Sequence, residues 1–247
     1  MKTEPVDDAA WMRRALALAR RGLGETNPNP MVGCVVVKDG RVLGEAFHRR
    51  AGGDHAEVEA LRRAGAAARG ATLYVNLEPC AHEGRTPPCA PLVAASGVRR
   101  AVIALRDPNP VVNGAGLRTL RRAGIAVSVG AAAEEARALN ERFLVAAPGR
   151  RPFVLLKAAV TLDGRIATAG RLSRWITSPA QRAAARALRR LHDAVAVGIG
   201  TVLADDPMLL PAPGVDRPFV RVVFDSQLRL PPGSRLARSA RGGAVWV

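Results

Sequence analysis

The sequence predicts an α/β protein of two domains, and three observations carry the prediction. Short apolar runs alternate with amphipathic stretches of helical period along most of the chain. After Gly114, strand and helix patterns follow one another singly, the arrangement of right-handed parallel crossovers. Ala146-Ala147-Pro148-Gly149-Arg150-Arg151-Pro152 then interrupts the alternation with proline, glycine and charge. Such a break marks a linker, so the chain divides into a domain over 1–147, a linker over 148–152 and a second domain over 153–247.

Each element has a local cause. Residues 9–21 repeat apolar side chains at helical spacing, with Asp7 or Asp8 as the cap. The apolar runs 32–38 and 41–47 flank Asp39-Gly40, a dipeptide that accepts the backbone conformation of a tight hairpin. A helix is expected over 55–68, a buried strand over 72–77 and an irregular loop over 79–88. Helices over 89–96, 116–123 and 132–144 then alternate with strands over 100–105 and 125–129. The second domain reads as a strand over 153–160, a loop, a helix over 179–191, and strands over 194–198 and 219–225. Its last residues, Val245-Trp246-Val247, look like the middle of a further strand, so this domain is expected to be incomplete.

Composition narrows the function. With 48% hydrophobic and 23% charged residues, the 247-residue chain can bury a core and is not a mainly disordered one. No apolar run approaches the roughly 18–20 residues that span a bilayer. The acidic N-terminus holds no secretory core. A soluble, cytoplasmic protein with no membrane partner is expected. A net charge of +16 raises nucleic acid as a partner. However, Lys2, Lys38 and Lys157 are the only lysines, and the excess is arginine scattered in pairs such as Arg13-Arg14, Arg62-Arg63 and Arg121-Arg122. Aromatics reach only 4%, which leaves few stacking platforms for single strands. The expectation is a small anionic substrate and no nucleic acid.

Three cysteines cannot form a disulfide framework, and a cytosolic chain keeps them reduced, so sulfur here points to metal or catalysis. His55-Ala56-Glu57-Val58 opens a helix, Glu78-Pro79-Cys80 follows a buried strand, and Cys89 begins the next helix. One imidazole and two thiolates are donors that Zn²⁺ takes, and they leave a fourth tetrahedral position for water. That openness marks a catalytic rather than a structural ion. A carboxylate must then carry protons between the water, a ring nitrogen and departing ammonia, and Glu57 is the candidate. Mid-helix, His55 and Glu57 would point apart. At the first turn, His55 reaches the ion from the helix entrance while Glu57 leans over the substrate. A lone histidine at a helix start is more often a cap, and Cys34 in its strand reads as core packing. His-x-Glu combined with Pro-Cys is instead the zinc deaminase signature. A purely structural ion would need a fourth protein ligand, and His82 is the one residue that can fill that place.

Nucleobase deaminases usually space their cysteines as Cys-x-x-Cys, whereas Cys80 and Cys89 enclose an eight-residue loop, 81–88. That loop and Cys89 contain Gly84-Arg85-Thr86-Pro87-Pro88-Cys89. Elsewhere stand Asn29-Pro30-Met31-Val32-Gly33-Cys34, Asp107-Pro108-Asn109-Pro110, Leu162-Asp163-Gly164-Arg165, Trp175-Ile176-Thr177-Ser178 and Thr201-Val202-Leu203-Ala204-Asp205-Asp206-Pro207. Through these motifs, in order over nearly the whole chain, the sequence resembles the bifunctional riboflavin-biosynthesis deaminase–reductases. The resemblance implies a cytidine-deaminase-like three-layer α/β/α sandwich and a partial dihydrofolate-reductase-like α/β domain. It implies one zinc ion, NADPH in the second domain, a small phosphorylated pyrimidine as substrate and a homo-oligomer.

Residue by residue, the resemblance makes His55, Cys80 and Cys89 the zinc ligands and Glu57 the proton carrier. Asn29 and His48 line the base pocket, and His82 and Arg85 bind substrate from the loop. A guanidinium at Arg85 suits a phosphate, because its planar fork holds two oxygens. In the second domain Ala159, Trp175, Thr201, Asp205 and Ser226 match cofactor contacts, and Ser173, Arg189 and Leu209 match substrate contacts. Val197-Gly198-Ile199-Gly200-Thr201 follows a strand and opens a helix, so its amides can cradle phosphate, although it lacks the third glycine of a dinucleotide fingerprint. Ala81 and Glu83 depart from the usual loop, and a carboxylate there weakens anion binding. Met208-Leu209-Leu210 lacks the arginine usual after the Asp-Pro turn, and the family's later glycine-rich loop and substrate glutamate would lie past Val247. Intact deamination with weak or absent reduction is therefore expected. The rival reading, a zinc deaminase of nucleosides or of bases in RNA or DNA, accounts for the charge but not for the 84–89 loop or the second half.

Overall fold

A computed structural model describes residues 7–247 except 85, 150, 171, 212 and 216. It divides into two units, Met1–Val154 and Leu155–Val247. In the first, helix α1 (Asp8–Ala19) is capped by Asp7, whose carboxylate accepts the Ala10 N–H. Strands β1 (Gly33–Lys38) and β2 (Arg41–Phe47) form the expected hairpin. Asp39 and Gly40 stand at φ 50° and 72°, the positive values that let a two-residue turn follow the strand twist. Then come α2 (Ala56–Ala64), β3 (Thr72–Leu77), α3 (Cys89–Ala95), β4 (Arg100–Leu105), α4 (Ala115–Arg122), β5 (Ala126–Val129), α5 (Ala133–Leu139) and α6 (Glu141–Ala146).

The five strands lie in the order β2-β1-β3-β4-β5, antiparallel from β2 to β3 and parallel from β3 to β5. Strand alternation divides the core into two clusters. Cys34, Val36, Leu73, Val75 and Ile103 pack under α2, α3 and α4. Val35, Val37, Tyr74 and Val102 pack against α1 and α5 on the opposite face. This is the three-layer α/β/α sandwich. Contact between layers is close where side chains are absent: a Cβ on Gly33 would lie 2.0 Å from the Ala15 carbonyl oxygen and 2.9 Å from the Ala19 nitrogen. Gly33→Ala is therefore expected to cost about 1–3 kcal/mol through displacement of α1, read as a lower urea midpoint at unchanged slope.

The helix expected over 132–144 is broken. It divides into α5 and α6 at Asn140, which leaves helical geometry at φ −107°, ψ 20° and turns its amide to the Met31 backbone.

The second unit contains α7 (Pro179–Ala187), β6 (Ala194–Gly198), α8 (Ile199–Asp205), β7 (Val220–Phe224), α9 (Arg235–Arg238) and β8 (Val245–Trp246). Ser178 and Gln181 close a reciprocal capping box at the start of α7. The strands form a parallel sheet, β6-β7-β8, over a small core of Ile199, Val202, Leu209, Val223 and Leu236. The strand expected over 153–160 does not form, although the apolar run suggested one. No strand of the described sheets pairs with this segment, and Val154 and Leu156 are 79% and 90% exposed. Apolar composition alone cannot make a strand without a ladder partner. Among the described residues, no helix is long and apolar enough to cross a membrane.

Candidate metal centre and its cavity

Three elements bring the metal-ligand residue types together. His55 is the N-cap of α2, in extended conformation at φ −72°, ψ 158°, so its ring leaves the chain before the helix begins. Cys80 lies in the loop after β3, and Cys89 is the first residue of α3. The donor atoms of the three lie within 4.8 Å of one another. His55 Nδ1 is 3.1 Å from Cys89 Sγ and 3.6 Å from Cys80 Sγ, and on the far side of the ring Nε2 lies 3.3 Å from Thr86 Oγ1. An Nε2–H donated to Thr86 leaves the Nδ1 lone pair facing the sulfurs, the outer-sphere arrangement typical of a ligating histidine. The Cys89 backbone N–H donates to Cys80 Sγ at 3.3 Å. Contact with the Cys89 thiol first, and then with the His55 ring, pulls the Cys80 thiol down to about 4 against the opposing effect of burial, well inside the thiolate range that metal binding requires. The Cys80 contact likewise raises His55.

The donor set fits zinc: one imidazole nitrogen and two sulfurs from separate elements, with no fourth protein ligand converging among the described residues. His82 lines the cavity but is not one of the converging donors.

Beside the sulfurs stands Glu57, one residue into α2 and 3% exposed. Burial pushes its carboxyl up to about 7, and its Oε2 is buried without a hydrogen-bond partner. An orphaned buried carboxylate oxygen costs free energy, so its retention in a cavity points to chemistry rather than to packing.

The cavity holds about 340 Å³ and is lined by His55, Glu57, Cys80, Asn29, His48, His82, Thr86, Asp107, Asn109 and Phe143, among others. Asn29 Nδ2 and His48 Nε2 are 3.1 Å apart, and His48 Nδ1 lies 3.0 Å from the Asp54 carbonyl. With Nδ1–H given to Asp54, Nε2 accepts from the Asn29 amide, and burial lowers the His48 pKa, favouring the neutral ring. The Asn29 carbonyl oxygen is then the group left to meet a ligand. Arg85 lies outside the described residues.

Sequence reasoning did not assign Glu78, Thr86, Asp107, Asn109 or Phe143 to this cavity. The Asp107-Pro108-Asn109-Pro110 run was the available signal, since a turn-rich polar segment after a buried parallel strand is placed to face a ligand. Phe143 had no such signal, because an apolar residue in a helix reads as core.

In the second unit Thr201 stands on α8 directly after β6, and Ser226 two residues after β7, so both lie at the C-terminal edge of the parallel sheet. Arg174 pairs with Asp205 of α8, and the neighbouring Trp175, largely exposed, has its ring covered by Arg182 at 4.1 Å. Ser173 is exposed in the same segment, whereas Ala159 lies on the 153–160 stretch, which joins no described strand. Leu209 is buried, and Arg189 donates to the Leu210 carbonyl at 2.8 Å beside a second cavity of about 350 Å³ lined also by Arg186 and Arg190.

Two family models match the chain: the cytidine and deoxycytidylate deaminase zinc-binding region over residues 5–105, and the RibD C-terminal domain over residues 152–246. The chain is 49% identical over 242 residues to the riboflavin biosynthesis protein RibD of Aquifex aeolicus, covering 97% of this chain and 68% of that one. It is 48% identical over 235 residues to RibD of Actinobacillus pleuropneumoniae, covering 95% of this chain and 62% of that one. A crystal structure from Thermotoga maritima, a diaminohydroxyphosphoribosylaminopyrimidine deaminase/5-amino-6-(5-phosphoribosylamino)uracil reductase, superposes with TM-score 0.84 at 45% identity. It is matched over 96% of this chain and 68% of its own. The chain thus spans about two thirds of the length of the relatives it matches.

Proposed function

The chain belongs to the RibD family of riboflavin biosynthesis proteins, and from that premise we propose that its first unit hydrolyses the ring amine of a diamino-ribosylamino-pyrimidinone phosphate, releasing ammonia and the uracil product. The observation that carries this reading is the unpartnered Glu57 Oε2 in the same cavity as the three converging donors. His55 Nδ1, Cys80 Sγ and Cys89 Sγ would hold the zinc. Zinc, when bound, supplies a hydrolytic nucleophile at neutral pH by lowering the pKa of water from about 15.7 to about 7. Glu57 takes one proton of the attacking water at Oε2 and gives it to the ring nitrogen beside the reacting carbon; it then takes the proton left on the new hydroxyl and delivers it to the amine, which departs as ammonia as the carbonyl forms. Its raised pKa suits both halves of that exchange. Asn29 and His48 orient the pyrimidine, His82 borders it, and Arg85 receives the phosphate.

For the second unit we infer NADPH at the C-terminal edge of the parallel sheet, the usual ligand side of such sheets. Trp175, Thr201, Asp205, Ser226 and Ala159 are its contacts, and Ser173, Arg189 and Leu209 lie on the substrate side. NADPH oxidation following ammonia release tests this half. The domain division at 148–152, a cytoplasmic location and self-association complete the reading, the last checked by sedimentation. A deaminase of RNA or DNA bases is not favoured, because it gives no place to the RibD C-terminal domain.

The test pairs zinc analysis with substrate turnover. Purified protein is expected to carry close to one zinc per chain, and to release ammonia from the phosphoribosyl pyrimidine but not from tRNA. Chelation, or Cys89→Ala, is expected to abolish that release. Zinc-free protein with full activity, or turnover of tRNA in preference to the small substrate, would overturn the reading.

A further inference from the structure

Between the 3-10 turn Arg20–Gly22 that ends α1 and the start of β1, the segment that carries Asn29 to the cavity has no regular secondary structure of its own. Its backbone is fixed two residues further on, at Met31. The Met31 N–H donates to Asn140 Oδ1 at 2.9 Å, and the Met31 carbonyl accepts from Asn140 Nδ2 at 2.8 Å and from Asn76 Nδ2 at 2.9 Å. Asn76 Oδ1 in turn accepts the Gly33 N–H at 2.7 Å. Asn140 thus uses both ends of its amide on one residue's backbone, a two-point contact that fixes rotation as well as distance. It is 2% exposed, stands 109 residues away in sequence, and breaks the α5–α6 helix to make the contact. A helix-favouring residue there would continue the helix and leave the buried Met31 N–H without its acceptor. The same break starts α6, whose Phe143 lines the cavity.

We propose that Asn140 is a positioning residue for substrate recognition: through the Met31 backbone it sets the Asn29 amide against His48 and the pyrimidine. This rests on the reading of Asn29 and His48 as pyrimidine contacts. It assigns a part of the deaminase site to a segment beyond the 5–105 zinc-binding region.

A double-mutant cycle tests it. Asn140→Asp keeps the size and the acceptor, loses the donor and sets a carboxylate against the Met31 carbonyl. It is expected to raise KM for the phosphoribosyl pyrimidine about tenfold, with kcat and zinc content near wild type. In an Asn29→Ala background, which itself raises KM, the same change is expected to add nothing, because the residue it acts through is gone. Asn140→Ser, which leaves room for a bridging water, carries the same cycle where the aspartate variant does not fold. A purely structural role would lower the melting temperature and leave KM unmoved, and that result overturns the proposal, as do KM effects that multiply across the cycle. An Asn29→Ala variant with wild-type KM removes the assignment of Asn29 and the proposal with it. A raised KM for Asn29→Ala alone, with Asn140→Asp unaffected, overturns only the role of Asn140.

Discussion

Glu57→Gln is expected to lower ammonia release by roughly 10³-fold or more while zinc stays bound, an effect at the upper end of what one positioned acid–base group supplies. The substitution is nearly isosteric, so the buried cavity keeps its shape, and it leaves all three donor residues unchanged, although the Glu57 side chain meets the Cys89 thiol. What disappears is the capacity to accept a proton at Oε2. Any role of Glu57 in packing or capping survives as well in the amide. Its carboxylate oxygen is already buried without a partner, so the neutral side chain relieves a desolvation cost. The variant is therefore expected to melt no lower than the wild type. Activity and stability should move independently or in opposite directions, the pattern of a group retained for chemistry. Stopped ammonia release with intact zinc and melting temperature supports the assignment. Release at wild-type rate in a zinc-loaded Gln variant would return the proton-carrying role to another group in the cavity.

Much of this site was legible because its logic is local. His55, Glu57, Cys80 and Cys89 each sit at the start of a helix or just past a strand, and the sequence marks those boundaries with polar and proline residues. The Asp39-Gly40 hairpin was legible for the same reason, since two residues dictate a positive-φ turn. The failures lie where distant partners decide. Residues 132–144 have helical period throughout, and only the Met31 backbone explains the break at Asn140. Residues 153–160 have the composition of a strand, but composition cannot reveal that no described strand lies beside them. Glu78 went unassigned because a glutamate next to a Pro-Cys pair reads as solvent-facing until its acceptors are matched to amides far along the chain.

Those amides make Glu78 the site of the second large effect, this time on stability. The side chain is 3% exposed and donates nothing; it accepts. Oε2 takes the Asp107 N–H at 3.2 Å and the Gly114 N–H at 3.0 Å, and Oε1 takes the Leu117 N–H at 3.2 Å. One carboxylate thereby satisfies the entrance of α4 and the start of the loop that carries Asp107 and Asn109 over the cavity. The approach is tight, since a Cβ on Gly116 would lie 2.1 Å from the Pro79 carbonyl oxygen and 3.1 Å from Glu78 Cγ. Glu78→Ala leaves three buried N–H groups without an acceptor, each worth about 1–3 kcal/mol when unsatisfied. With partial rescue by water, a loss of about 3–5 kcal/mol is expected in urea unfolding, among the largest single-residue costs. Glu78→Gln keeps one or two acceptor positions but turns an NH₂ towards an N–H, so a smaller loss in the same direction is expected. Because Cys80 lies two residues away, the functional signature should be shared: weaker zinc retention under chelator, and a raised KM from the displaced Asp107–Asn109 wall. An unfolding midpoint for Glu78→Ala equal to the wild type would show that the loop and the sulfur-bearing turn are held together by other contacts, and that this carboxylate is not what joins the metal centre to the wall facing it.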